Sequence, residues 1–257
     1  PGDSADKFKV SGRGELHLSV LIENMRREGF ELGVSRPEVI QKTIDGEVCE
    51  PYEQLVLDID EQHQGGVMEE LGLRRAELAQ LVLDGKGRVR LEFMVPARGL
   101  IGFRSQFLTM TSGSGIMTHI FDHYGPVTTA VLAARQNGVL VSMVTGKSLA
   151  YALHALQERG RLFLDPNIQV YEGQIVGLHS RGNDLVVNPT KAKQLTNVRA
   201  SGTDEALTLS PPVKHTLEQA LEFIEEDELV EVTPESIRLR KKWLLEHERK
   251  RASRSAA

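Results

Sequence analysis

The order of secondary-structure elements between residues 54 and 124 constrains the fold more than any other feature of this chain. Pro96 ends one apolar stretch, and large apolar residues then recur at helical spacing at Leu100, Phe103, Phe107 and Leu108. Gly113 and Gly115 follow, and the apolar, β-branched run 116–121 is typical of a buried strand. The last part of this region therefore predicts a helix, a glycine turn and a strand.

Upstream residues extend this pattern to a complete unit. Residues 88–95 alternate apolar and polar side chains as a strand does, and residues 84–87, Asp-Gly-Lys-Gly, suit a tight hairpin with a strand over 76–83. A short helix over 64–71 and a strand over 54–60 precede them. The order β-α-β-β-α-β is that of the split βαβ, or ferredoxin-like, unit, with two helices on one face of a four-stranded antiparallel sheet. Because this architecture has many unrelated activities, the pattern predicts a fold and no function.

The N-terminal residues predict part of a second unit of the same kind. Its elements are expected at residues 8–11 (strand), 15–28 (helix), 30–34 (strand) and 39–44 (strand). The helix carries an apolar stripe at Leu18, Leu21, Ile22 and Met25, and Gly29 ends it. Half a unit would leave a sheet edge and part of its core uncovered, so we expect the chain to be part of something longer. Pro1, in place of an initiator Met, agrees with that expectation.

The remaining residues predict a mixed domain. A helix is expected over 148–159, with Gly160 at its end, and Thr216 and Gln219 have the spacing of a capping box before another amphipathic helix. The expected fold class is α+β and multidomain: a partial ferredoxin-like domain (1–45), a complete one (46–125) and a strand-rich α+β C-terminal domain (126–257).

Several motifs resemble those of one protein family. Gly12-Arg-Gly-Glu-Leu-His-Leu18 resembles the Gly-x-Gly-Glu-Leu-His-Leu motif in the third domain of translational GTPases such as elongation factor G. Residues 98–124 are similar to the fifth domain, and their start, Arg-Gly-Leu-Ile-Gly-Phe-Arg-Ser, closely resembles the BipA (TypA) branch. Three further stretches resemble the C-terminal domain peculiar to that branch: 171–177, 195–205 and 216–224.

The resemblance implies the C-terminal part of a ribosome-associated translational GTPase, with residues 1–45 like domain III and 46–125 like domain V. The whole protein is then expected to hydrolyse GTP with Mg2+ in the cytoplasm. Its expected roles are stress adaptation, virulence regulation or assembly of the large ribosomal subunit. Because the GTP-binding domain is expected to lie outside this chain, the chain itself is expected to be no enzyme and to hold no cofactor.

Charge is distributed unevenly along the chain. The net charge of −5 argues against a chain that coats nucleic acid over its whole surface. Residues 218–235 contain eight acidic residues and no Lys or Arg, whereas 238–257 contain eight basic residues against Glu246 and Glu248. For this basic tail, the sequence favours a solvated helix face or a frayed end.

A second basic stretch predicts an RNA-binding loop. Residues 185–203 contain no acid, and residues 188–202 have few apolar anchors, so a long loop is expected. On sequence alone, such a loop is equally compatible with function and with disorder. The resemblance favours function, since in BipA-like proteins this loop extends toward ribosomal RNA and the acceptor end of transfer RNA. We expect contacts to the RNA backbone, and not to bases, from Lys191, Lys193, Thr196, Asn197 and Arg199.

Other partners and sites are not favoured by the sequence. No stretch is long and apolar enough for a signal peptide or a membrane span, and neither a membrane nor DNA is an expected partner. The single Cys49 excludes an internal disulfide and a multi-cysteine metal cage. Gly146-Lys147-Ser148 ends like a phosphate-binding loop, but Val141 stands where that loop needs glycine, so Lys147 is interpreted as a helix-start residue.

Two functions of other classes stay open. Ferredoxin-like sheets also occur in protein-interaction or small-ligand-binding modules, whose apolar contacts respond weakly to salt. His119, Asp122 and His123 could serve a metal-dependent hydrolase, although alternate residues of a strand point to opposite faces, which favours surface histidines. His17 could act as a general base only with a positioned partner, so packing on a helix face is favoured.

Overall fold

The computed structural model describes residues 7–128, 135–193 and 207–256. Contacts divide the chain into two compact units, one of residues 37–134 and one that combines residues 1–36 with 135–257. The predicted fold class, α+β with a ferredoxin-like unit, is confirmed. The predicted domain boundaries at residues 45 and 125 stay predictions.

The elements follow in chain order. The N-terminal elements are α1 (Glu15–Arg27) and β1 (Leu32–Ser35). The unit of residues 37–134 contains β2 (Lys42–Ile44), β3 (Glu47–Asp60), α2 (Gln64–Leu73), β4 (Glu77–Leu83), β5 (Arg88–Pro96), α3 (Ala97–Leu100), α4 (Phe103–Met110) and β6 (Ile116–Pro126). The C-terminal elements are β7 (Val139–Ser142), β8 (Gly146–Lys147), α5 (Ala150–Leu156), β9 (Gly160–Leu162), β10 (Gln169–Val170), β11 (Gln174–His179), β12 (Leu185–Val187), α6 (Leu217–Phe223), β13 (Glu228–Val232), β14 (Ile237–Lys241) and α7 (Glu246–Ala256).

The unit of residues 37–134 has ferredoxin-like topology. Strands run antiparallel in the order β6, β3, β5, β4, and β2 pairs with the start of β3. β3 begins at Glu47, earlier than the predicted Gln54, because β2 and the end of β6 pair with its first residues. The predicted helix after Pro96 is divided into α3 and α4 by Gly102, whose φ of 71° is left-handed. The β4–β5 hairpin forms as predicted, with Asp84 Oδ1 accepting from the backbone N–H of Lys86 at 2.7 Å.

The core of this unit lies between the sheet and its helices. Alternate residues of β3 and β5 meet residues of α2 and α4, and the fully buried members are Leu55, Leu57, Ile59, Val67, Leu71, Leu91, Val95, Phe103 and Phe107. Arg74 is buried at the end of α2, where it donates to Glu70 at 2.8 Å, to the carbonyl of Gly99 at 2.7 Å and to Gln106 at 2.9 Å. This one guanidinium therefore ties α2 to both helices that follow β5.

The other unit is built on a larger sheet. Its strands lie in the order β1, β13, β14, β11, β7, β12, with β9 also paired to β11, and only the β12–β7 pair is parallel among the described strands. One cluster of apolar residues packs α6 against β7, β11, β13 and β14. A second packs α5 against residues from β7, β9, β11 and β12. Val139 and Val141 of β7 belong to the first cluster and Leu140 to the second, so the two clusters lie on opposite faces of the sheet.

Three N-terminal strand predictions differ from the structure. Residues 8–11 form no strand, and the strand predicted over 30–34 is β1, which pairs with β13 near the C-terminal end of the chain. The strand predicted over 39–44 is shortened to β2 and pairs with β3. A strand needs a hydrogen-bonding partner, and these partners are supplied by residues distant in sequence, which local patterns do not reveal.

A buried ion cluster fixes the β13–β14 hairpin. Glu228 is fully buried and forms salt bridges with Arg135, at 2.8 Å, and with Lys241, at 3.0 Å. Lys241 is itself buried and also contacts Asp184 at 2.6 Å and Asp227 at 2.8 Å. Burial alone would raise the pKa of Glu228, but the hydrogen bond and charge of Arg135, together with Lys241, lower it overall. The cluster is therefore ionised, and it fixes the strand from which the C-terminal helix emerges.

Candidate nucleic-acid interface

The predicted RNA-binding loop begins on a firmly held turn. β12 ends at Val187, whose carbonyl accepts from the N–H of Met143 at 2.9 Å. Asn188 Oδ1 accepts from both the N–H and the hydroxyl of Thr190, each at 2.9 Å. The carbonyl of Pro189 accepts from the N–H of Leu149, the residue that caps α5, at 3.0 Å. The start of the loop is thus fixed at the N-terminal end of α5.

The chain returns from this loop to the opposite end of α5. Gln157, which follows the last turn of α5, donates to the carbonyl of Thr208 at 3.1 Å and accepts from the N–H of Ser210 at 3.1 Å. Further on, the N–H of Val213 donates to the carbonyl of Leu162 in β9 at 2.8 Å. The residues at the start of the predicted loop, and residues 208–210 beyond its end, are therefore held by opposite ends of α5.

The predicted site residues divide between described and undescribed parts of the chain. Lys191 and Lys193 follow the turn at Thr190 and are exposed. Thr196, Asn197 and Arg199 lie outside the described residues. Two of the five residues that are predicted to contact RNA therefore lie at the surface, and their role stays a prediction.

The phosphate-loop-like stretch has a structural role. Lys147 lies in β8 and does not begin a helix, which corrects that expectation, because the backbone of Ser148 pairs with Ile168 at 2.9 Å and delays α5 until Ala150. Ser148 is buried, and its hydroxyl donates to the carbonyl of Asp165 at 2.9 Å and accepts from the N–H of Ile168 at 3.0 Å. Its hydroxyl is thus engaged in holding the residues between β9 and β10.

The histidines of β6 pair separately. His119 contacts Glu53 of β3, whereas His123 contacts its neighbour Asp122 at 2.6 Å and stacks on Tyr52 with ring centres 5.3 Å apart. Over the parts of the chain that the structure describes, no three His, Cys, Asp or Glu side chains are grouped as a metal ion requires. His17 Nδ1 is 3.4 Å from the backbone nitrogen of Arg13 within its own turn. The arrangement provides no convergent donor set for metal chemistry.

The basic tail is a helix with a solvated face, the first of the two alternatives that the sequence favoured. It forms α7, which is rooted in the unit: the Leu244 backbone packs on Gly173, where a Cβ would lie 2.6 Å from the Leu244 Cα. The only signal in the sequence was the excess of Lys and Arg, which does not distinguish an ordered helix from a frayed end. Within the described ranges, no helix combines the length and apolar character that crossing a membrane requires.

Two family models match the chain. The TypA/BipA C-terminal domain matches residues 137–246, and the elongation factor G C-terminus matches residues 47–135. A solved structure from Thermus thermophilus covers 32% of this chain and 12% of its own, at 22% identity and a TM-score of 0.31, which is too low to carry an argument.

Curated relatives match nearly all of the chain. The large ribosomal subunit assembly factor BipA of Haemophilus influenzae is 63% identical over 97% of this chain and 41% of its own length. The protein of that name from Escherichia coli K12 is 62% identical over 98% of this chain and 42% of its own, and the one from Buchnera aphidicola is 56% identical over 96% and 41%. The chain thus spans about two fifths of the length of these relatives. It belongs to the BipA family and corresponds to the C-terminal part of the family's proteins.

Proposed function

We propose that this chain is the ribosome-docking C-terminal portion of a cytoplasmic assembly factor for the large ribosomal subunit. The observation that carries the proposal is the identity of 62–63%, over 97–98% of the chain, to proteins that bear that name. GTP hydrolysis with Mg2+ belongs to a domain outside this chain, and no residue of the chain takes part in it. Roles in stress adaptation or virulence regulation would be consequences of that docking.

The proposed contact surface is the segment held by α5. Lys191 and Lys193 are exposed at its start, and Arg199 adds a third cation within it. Thr196 and Asn197 supply neutral hydrogen-bond donors, which suit phosphate and sugar oxygens. Because the segment is attached on both sides to α5, we favour a surface element whose side chains contact ribosomal RNA. The acceptor end of transfer RNA is a second candidate partner. Such contacts supply affinity without base readout, so little sequence preference is expected.

The first prediction is that a triple variant, Lys191→Ala, Lys193→Ala and Arg199→Ala, binds large ribosomal subunits more weakly and with less salt dependence. Removing three phosphate contacts lowers the slope of log affinity against log salt by roughly two to three. Between about 50 mM and about 200 mM salt, the unaltered chain should then lose roughly 20- to 40-fold more affinity than the variant. Co-sedimentation with purified large subunits across that range measures both quantities.

A matched control removes the same charge elsewhere. Arg27, Lys86 and Arg90 are exposed cations remote in sequence from the loop, and their replacement by Ala should leave the affinity nearly unchanged. Equal binding by the loop variant and the unaltered chain would contradict the role of the loop. Salt-independent binding of the unaltered chain would instead support the protein-interaction alternative.

A further inference from the structure

The C-terminal helix α7 is held firmly at its start. Lys241, the last residue of β14, is buried in the ion cluster with Glu228. Three residues later, Leu244 packs against Gly173, whose φ of 86° and missing side chain permit the close approach. The N–H of Glu246 donates to Glu172 Oε1 at 3.4 Å. The helix therefore leaves the sheet from a fixed position.

Arg249, in the first turn of α7, bonds back to the residues that precede the helix. Its guanidinium donates to the carbonyl of Trp243 at 3.1 Å and to the carbonyl of Leu244. On the same side of α7, Glu248, Arg249 and Ala252 are half-buried. One side of the helix is thus occupied by contacts, which fixes the side that faces solvent.

The exposed side of α7 is a cationic stripe. Its members, at positions i, i+3, i+4 and i+7 and all exposed, are His247, Lys250, Arg251 and Arg254. The stripe is about 10 Å long from the helical rise. Glu246 pairs with Lys250 at 2.5 Å, but both side chains are substantially exposed, so this pair is weak. The acids of α7 are confined to its first turn, and residues 249–254 contain four cations and no acid.

We propose that this cationic stripe of α7 is a second RNA contact, which binds the backbone phosphates of double-stranded RNA. The proposal rests on the proposed ribosome docking and adds a surface to it. A nucleic-acid duplex carries roughly one negative charge per 1.7 Å of its axis, so a 10 Å stripe faces several phosphates. The stripe has one ring, that of His247 at its start, whereas Lys250, Arg251 and Arg254 all suit phosphate oxygens, so backbone contact is expected.

The composition of α7 favours RNA over a membrane. A helix that lies in a membrane interface needs an apolar face of large residues. Residues 246–254 are Glu, His, Glu, Arg, Lys, Arg, Ala, Ser and Arg, so the largest apolar side chain among them is that of Ala252. Phosphate groups of an anionic lipid surface would attract the cations, yet residues 246–254 have no large apolar side chain that could enter the bilayer beside them.

The test replaces the stripe in the whole chain by Lys250→Gln, Arg251→Gln and Arg254→Gln. Glutamine keeps a helix propensity close to that of Lys and Arg, so α7 should persist, which circular dichroism checks. The probe is a fluorescein-labelled RNA duplex of about 20 base pairs, which is the length of the RNA–DNA hybrids that RNA-guided nucleases hold in positively charged channels. Fluorescence anisotropy at several salt concentrations should show weaker binding, with the salt slope reduced by roughly two to three.

Controls separate this inference from the proposed function. The Arg27→Gln, Lys86→Gln and Lys214→Gln variant removes the same net charge and should bind the duplex nearly as the unaltered chain does. Unchanged affinity and slope in the α7 variant would overturn the inference, as would an equal loss in the control. If the α7 variant bound RNA normally but lost binding to phosphatidylglycerol vesicles, the stripe would be a membrane contact and not an RNA contact. The binding of the loop variant to large subunits is measured in parallel. If the loop variant binds large subunits more weakly while the α7 variant binds RNA as the unaltered chain does, only the inference about α7 is refuted. If the unaltered chain binds neither RNA nor large subunits, both proposals are refuted.

Discussion

At the scale of single residues, His215 is a side chain whose protonation the fold opposes. Its ring packs against Phe163, at 4.7 Å between ring centres, and Phe223, at 5.1 Å, and those two rings also contact each other. Its Nε2 is buried without a hydrogen-bond partner among the described residues. Burial lowers the pKa of His215 below the ordinary value of 6.5. The neutral ring therefore fits this aromatic cluster, and the imidazolium does not.

The pH dependence of stability should reveal this residue. Because the pKa of His215 is lower in the folded chain, its contribution is complete above about pH 6.5 and is lost as the pH falls. We expect His215→Phe to lose less stability than the unaltered chain between about pH 7.5 and about pH 5.5, since Phe cannot be protonated. Urea unfolding at both pH values measures the difference. Leu207→Phe, which introduces a phenylalanine at an exposed position and changes no titratable group, is the control and should show the pH dependence of the unaltered chain.

At the scale of elements, α6 shows how a local motif fixes a helix start. Thr216 Oγ1 accepts from the N–H of Gln219 at 3.3 Å, and Gln219 Oε1 accepts from the N–H of Thr216 at 3.0 Å. This is the capping box that the sequence predicts, and it orients Leu217, Ala220 and Leu221 into the core.

Removing this cap should weaken the domain measurably. Thr216→Ala leaves N–H groups of the first turn without their acceptor, so we expect a loss of about 1 kcal/mol in the free energy of unfolding. Thr208→Ala changes the same side chain at an exposed position that is used through its backbone carbonyl. Denaturant unfolding of the two variants compares them directly. Equal stabilities would show that α6 is fixed by packing alone.

Elements also show what the sequence can and cannot predict. The ferredoxin-like unit was predictable because its hairpin, its alternating strands and its helix stripes are all set by near neighbours. The pairing of β1 with β13 was not, since it joins Leu32 to Val232 across most of the chain. Lys241 is one of eight basic residues in its stretch, and nothing local marks it as buried. For the site, sequence predicted Lys191 and Lys193 at the surface, and the ordered stripe of α7 required the fold.

At the scale of the whole molecule, the unit of residues 37–134 has an apolar core of its own. β3 is paired on both sides, with β5 and with β6, and its inward residues are fully buried. A domain with a closed core and paired central strands can fold without further chain.

We expect residues 37–134, produced alone, to unfold cooperatively in urea. Residues 37–115 are the matched control, because they lack β6 and leave β3 with a free edge along most of its length. Far-ultraviolet circular dichroism follows both transitions. A non-cooperative transition for the longer piece would contradict the prediction.

The way α5 holds the segment between Pro189 and Thr208 has a consequence for how the family can vary. The described residues include an attachment point on each side of it, one at Leu149 and one at Gln157. Closing a loop costs free energy that grows slowly with its length, by about 0.6 kcal/mol for each doubling. A change in the length of the segment between these points therefore alters the free energy of loop closure by only a small amount. Its reach can change in evolution, or by engineering, without redesign of the domain that carries it.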